Sequence, residues 1–170
     1  MTFLSTAFTA STSTVTFDGA TTPVAAGGFA YNNLSVNKSA AGNIVNLGAL
    51  ASVGGNLTVT LGTLNLGGNL SVTGNITGAG IVATSDFNLS VVGNLTGITL
   101  NADPGVNIEV MTIGEDFTPS TFSAQNSKVI LIGATTPVAI GPINYFNLSL
   151  EKTVTAVVNP AGASAYGTSA

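Results

Sequence analysis

The 170-residue sequence predicts an all-β chain and, within that class, a parallel β-solenoid of about nine turns of roughly 19 residues. Three observations carry this. No segment shows an apolar stripe at helical spacing, and 21 Gly and six Pro are scattered along the whole length. Apolar and hydroxyl residues alternate in short runs such as Thr14-Val15-Thr16-Phe17, Leu57-Thr58-Val59-Thr60-Leu61 and Leu89-Ser90-Val91, each closed by Gly, Asn or Pro. Residues 13–38, STVTFDGATTPVAAGGFAYNNLSVNK, recur without a gap as residues 127–152, SKVILIGATTPVAIGPINYFNLSLEK, with 15 of 26 positions identical. An antiparallel sandwich of short strands is the alternative, but it gives no reason for an ungapped recurrence at 114 residues.

Strand phrases begin near Thr14, Asn33, Asn56, Asn75, Asn88, Asn107, Lys128 and Asn147, and four of the intervals equal 19, so the 114-residue repeat reads as six turns. Strand alternation then assigns the inward positions: Val15 and Phe17, Leu34 and Val36, Leu57 and Val59, Leu70 and Val72, Leu89 and Val91, Ile108 and Val110, Val129 and Leu131, Leu148 and Leu150. Residues 1–12 are expected to be an N-terminal strand or linker. The solenoid is expected over 13–158, with a first repeat at 13–126 and a partial second from 127, and 159–170 as a small-residue tail.

Composition narrows function. Three Lys, no Arg and seven acidic residues leave a formal charge of −4, which supplies no basic patch for nucleic acid or an anionic membrane surface. Mean hydropathy is +0.51, yet no apolar run reaches the roughly 18 residues a spanning helix needs, so no membrane insertion is expected. With no His and no Cys there is no imidazole base, thiolate or zinc site of the usual kind, and no cofactor is implied. An enzyme is not expected: the absence of Arg and Trp removes the usual equipment of a polysaccharide-cleaving site.

Eight Asn-x-Ser/Thr triplets occur, at Asn33, Asn37, Asn56, Asn69, Asn75, Asn88, Asn94 and Asn147. They have two readings, as glycan acceptors on an exported surface or as corner residues. The corner reading is favoured because the triplets follow the repeat; there Asn would tolerate left-handed backbone and stack turn on turn as a hydrogen-bonded ladder. Glu109, Glu115 and Asp116, with Asp103 nearby, form an acidic segment whose oxygens would suit calcium, but no calcium-loop spacing accompanies them and a solvated face is expected. Thr-x-Thr pairs at Thr14/Thr16 and Thr58/Thr60 raise an ice-binding array, but they do not recur from turn to turn.

The phrases TVTFDGATTPVAAGGFAYNNLSVNKSA and GGNLTVTLGTLNLGGNLSVTG resemble the strand-repeat regions of large secreted bacterial surface proteins and adhesins. These are of the Bacteroidetes-type exported and filamentous-haemagglutinin-like kinds. The resemblance covers residues 13 to about 158 and implies an extracellular or cell-surface structural role: a rigid stalk, or a self-assembling fibre whose partner is the next copy of itself. The other expectation is an adhesin-type module for surface carbohydrate or protein, a carbohydrate being met through Tyr31 and Tyr145 or the acidic segment. The first eleven residues, MTFLSTAFTAS, carry no basic, export-like start, so no export signal is read in this chain.

Overall fold

The computed structural model describes residues 9–103, 105, 107–134, 138–153 and 158–160, and these form an all-β parallel solenoid without helix. Each turn lays down one strand on each of three faces. The first turn holds β1 (Thr14–Gly19), β2 (Val24–Ala26) and β3 (Ala30–Tyr31), and the second β4 (Asn33–Lys38), β5 (Ile44–Leu47) and β6 (Ser52–Val53). The third holds β7 (Leu57–Leu61), β8 (Thr63–Asn65) and β9 (Leu70–Val72), and the fourth β10 (Ile76–Gly78), β11 (Ile81–Ala83) and β12 (Leu89–Val91). The fifth holds β13 (Leu95–Thr96), β14 (Thr99–Asn101) and β15 (Val110–Ile113), and the sixth β16 (Phe117–Thr118), β17 (Thr121–Ser123) and β18 (Lys128–Leu131). The last has β19 (Val138–Ile140) and β20 (Asn147–Leu150), and β21 (Val158–Pro160) returns to the first face.

The first face runs β1-β4-β7-β10-β13-β16-β19-β21, the second β2-β5-β8-β11-β14-β17 and the third β3-β6-β9-β12-β15-β18-β20. Every pairing is parallel and joins a strand to its equivalent one turn on, which excludes the antiparallel sandwich. Among the described residues the turns number about seven, not nine, and the corners absorb insertions: equivalent residues are 19 apart at some corners but 22 or 23 apart at others. At the parallel-strand spacing the rod is about 34 Å long, shorter than nine turns would make it.

Alternation fills the interior. Leu34, Val36, Leu57, Val59, Leu70, Val72, Leu89, Val91, Val129 and Leu131 are all buried, as their phase predicts. Burial of each such side chain is worth about 1.5–3 kcal/mol, which is what holds the coil closed across its narrow width.

Ile108 and Val110 break the expectation: Ile108 is 63% exposed and Val110 half-buried, while Met111 and Ile113 take the inward places. The corner between β14 and β15 is longer than its neighbours, so the strand after it starts at Val110 and its phase shifts by one residue. Val15, Phe17 and Leu148 pack only partly against the core, and Leu150 is exposed, because they lie on the two end turns. Residues 11 and 12, placed in an N-terminal strand or linker, form a turn closed by the Ser13 N–H on the Ala10 carbonyl at 3.0 Å. The expectations for residues 1–8 and 161–170 lie outside the described residues.

The 114-residue repeat is not six turns. Its first copy begins with β1 on the first face, and its second begins with β18 on the third. Thr14↔Asn33 and Val15↔Leu34 in the first copy become Lys128↔Asn147 and Val129↔Leu148 in the second. The recurrence therefore spans five and two-thirds turns, and the same turn is built twice on different faces.

Candidate functional site

The asparagines are corner residues that bind one turn to the next. At the corner before the first face, Asn33 Oδ1 accepts the Asn56 backbone N–H at 2.9 Å, and Asn56 Oδ1 accepts that of Asn75 at 2.9 Å. Asn75 Oδ1 accepts the Asn94 N–H at 2.8 Å, Asn94 Oδ1 that of Asp116 at 3.0 Å, and Asp116 Oδ1 that of Ala139 at 2.8 Å. In return the residue after each Asn donates its N–H to the backbone carbonyl one turn on: Leu34 to Asn56, Leu57 to Asn75, Ile76 to Asn94, Leu95 to Asp116. A corner interrupts the strand ladder and leaves a backbone N–H without a strand partner; a short side-chain carbonyl satisfies it. None of these Asn residues has positive φ, so left-handed tolerance is not why Asn stands there.

A second, shorter ladder leads into the third face, with Asn69 Oδ1 accepting from Asn88 N–H at 2.9 Å and Asn88 Oδ1 from Val110 N–H at 2.8 Å. The triplets thus belong to two separate columns, which the sequence spacing merged into one. Asn107 is not the equivalent of Asn88; Val110 is. Asn147 opens β20 opposite Lys128, and Asn37 lies in β4 at the register shift between β4 and β7; both are exposed. Except for Ser39, which lies beyond β4, the Ser or Thr of each triplet lies in the strand that follows. On the first face Thr16, Ser35, Thr58 and Thr77 stand opposite one another in successive turns, as do Thr96 and Thr118.

The acidic segment does not form a solvated face. Glu109 is 1% exposed, and its carboxylate accepts the Thr84 hydroxyl, the Asp86 N–H at 2.9 Å and the Asp103 N–H at 3.0 Å. It holds the long corner after β14 against the turn below. Glu115 Oε2 accepts from Asn94 Nδ2 at 2.9 Å, and Asp116 ends the first ladder. The carboxylates of Glu109, Glu115 and Asp116 each have their own backbone or side-chain partner, and among the described residues no group of three metal-ligating side chains converges on a metal position.

The two copies of the repeat share corner hydrogen bonds between equivalent residues. Lys38 Nζ donates to the Asp18 carbonyl, and Lys152 Nζ donates to the Ile132 carbonyl and to Gly114 O at 3.0 Å. The Ser39 N–H binds Gly19 O at 3.1 Å, and the Thr153 N–H binds Gly133 O at 3.2 Å. Gly19 and Gly133 have φ of 72° and 88°. Lys38 is 2% exposed, its stem packed beneath Gly62, where a Cβ would stand 2.7 Å from Lys38 Cγ. Burial pulls Lys152 below the ordinary lysine value, against the raising pull of Asp116 and Glu115. Lysines at a shared repeat position, in a chain with so little charge, were the available sign of this role.

Tyr31 and Tyr145 are buried, at 4% and 3% exposure, so neither ring is presented to a sugar. The Tyr31 hydroxyl donates to Gly27 O at 2.7 Å, and burial raises it above the usual tyrosine value. Tyr145 packs beside Phe117 and Phe122, at ring separations of 6.0 and 6.1 Å. The shallow groove along the third face is lined by Leu50, Ser71, Ser90, Val110 and Thr112 among others and holds no charged side chain.

Among the described residues the arrangement offers backbone edges, hydroxyl columns and corner amides. Comparison with protein-family models, with curated proteins and with solved structures finds no match to this chain.

Proposed function

We propose that the chain is an extracellular structural element, a rigid rod that lengthens a stalk or fibre by end-to-end β-strand stacking, with further copies of itself as partner. The observation that carries this is the pair of turns with the same pairing register near the two ends of the described rod, β1–β4 and β18–β20, each leaving one strand at the edge of its sheet among the described residues. Continuous parallel ladders on three faces give stiffness, and the Asn rungs fix the register of each turn on the last. A coat of Ser, Thr and Asn stands where charge would repel another copy.

Negative-stain microscopy of the purified chain tests it: long uniform fibres of constant width are expected. Discrete particles of about 34 Å at every concentration would sink the reading. The adhesin-type alternative loses the two tyrosines as sugar platforms and most of its acidic segment to internal hydrogen bonds, so no observation favours it.

A further inference from the structure

The two copies of the repeated turn differ in one respect: what covers them. In the first copy β4 is overlaid by β7, with Leu34 opposite Leu57 and Val36 opposite Val59, and Leu34 and Val36 are 1% and 0% exposed. In the second copy the equivalent strand, β20, is the last of its sheet among the described residues; Leu148 is only partly buried and Leu150 is 52% exposed. The reverse holds beneath. β18 rests on β15, and Val129 and Leu131 are 0% exposed, whereas its equivalent β1 is the first strand of its sheet among the described residues and leaves Val15 and Phe17 half-buried. Among the described residues, no strand lies over β20 on the third face and none lies under β1 on the first.

We propose that β1 of a second copy of this chain docks in parallel on β20, with Val15 opposite Leu148 and Phe17 opposite Leu150. The first face of each copy then continues the third face of the copy before it. This deepens the stacking function above and rests on it. The register follows the internal one, in which Val15 opposes Leu34 and Phe17 opposes Val36. A strand fit to cover β20 needs two bulky apolar residues two apart with hydroxyls between, as β7 has; Thr14-Val15-Thr16-Phe17 supplies them. Backbone pairing along four residues and closure of the apolar interior are the gain, and the exposed strand edge is the hazard that a partner removes.

The change of face is the distinctive content. Between the two copies within one chain the repeat already steps from the first face to the third. Stacking β1 on β20 makes the same step, so successive copies turn by two thirds of a revolution and regain register every third copy. A heterologous contact of this kind does not close on itself and propagates as a helical filament.

The chain has no Cys, so paired substitutions read the contact directly. Thr16 and Ser149 face outward, and in the proposed register their Cα atoms lie about 4.8 Å apart, inside the roughly 4.4–6.8 Å range of disulfides. Thr16→Cys with Ser149→Cys is expected to give a ladder of disulfide-linked oligomers on mild oxidation, and either single variant no more than a dimer. Thr16→Cys with Ser71→Cys, its second cysteine midway along the rod, is the background control; cross-linking no better than this control overturns the proposal. If fibres form but the ladder appears for Thr16→Cys with Asn159→Cys, which reports first face on first face or cover by β21, the rotation falls and stacking survives. If neither fibres nor ladders form, both fall. Leu150→Asp, at an exposed position, is expected to keep the circular dichroism of the parent chain while abolishing fibres; unchanged fibres would also overturn the contact.

Discussion

Asn75 and Asn94 are joined twice across one corner: a single carboxamide oxygen on Asn75 accepts both the backbone N–H of Asn94, at 2.8 Å, and its side-chain amide, at 3.2 Å. Asn75→Ala leaves a corner N–H with nothing to bind, and the expected loss is about 1–3 kcal/mol in urea unfolding. Asn75→Asp keeps an acceptor, as Asp116 does at the end of the same ladder, so it should cost less than half as much. Equal losses would show that the oxygen is not what matters.

Leu50 is out of place by two measures. Its φ is +66°, and it is 89% exposed. Because Ser52 pairs with Ser71, Leu50 stands opposite Asn69, one position below the start of the third-face ladder. Leu50→Asn should therefore stabilise the chain by about 1 kcal/mol through relief of left-handed strain, and by more if the new oxygen reaches the Asn69 N–H. Leu50→Gly supplies the strain relief alone, so the difference between the two variants in thermal unfolding measures the added rung.

Gly78 and Gly19 both have positive φ but predict different outcomes. At Gly78, φ is 130° and a Cβ would lie 2.1 Å from the Val59 carbonyl oxygen of the turn below, so Gly78→Ala forces two turns apart. At Gly19, φ is 72° and nothing lies within 4 Å. Gly19→Ala is expected to cost about 1–2 kcal/mol and Gly78→Ala to lose most of the folded population, as read by circular dichroism.

Tyr31 makes stability depend on alkaline pH. Burial raises its pKa above 10.0, so its contribution is fully present below that value and is lost as pH climbs through the folded pKa. Lys152 acts in the opposite sense, its lowered pKa making stability rise with pH up to 10.5, so the comparison must be made against a variant. Tyr31→Phe loses the bond to Gly27 and should be about 1 kcal/mol less stable at pH 7, with the gap narrowing above pH 10. A gap constant with pH would contradict the buried phenol.

Much of the fold was legible because strand alternation survives any error in counting corners. Leu34 and Val36, or Leu89 and Val91, face inward whichever turn they belong to. What failed was whatever depended on corner length. Phase was lost at Ile108 because the corner ending at Glu109 grew, and the one available sign was the later alternation of Met111 and Ile113. Longer corners also lower the turn number, to about seven among the described residues. At the corners, residue type showed that Asn recurs but not that two columns are interleaved, since Asn56 to Asn69 to Asn75 crosses from one ladder to the other and back. Lys38 and Glu109 were hidden because charge usually marks solvent; here each sits under a corner whose backbone groups take the place of water.

The Asn side chains also give the rod a direction in time. In every rung the accepting oxygen belongs to the earlier turn and the donated N–H to the later one: Asn33 for Asn56, Asn56 for Asn75, Asn75 for Asn94, Asn94 for Asp116. A chain emerging from its N-terminus thus finds, at each corner, an acceptor already set by the coil beneath it. Assembly by winding onto a finished layer needs only the next twenty or so residues at any moment, and it never requires the far end to be made first.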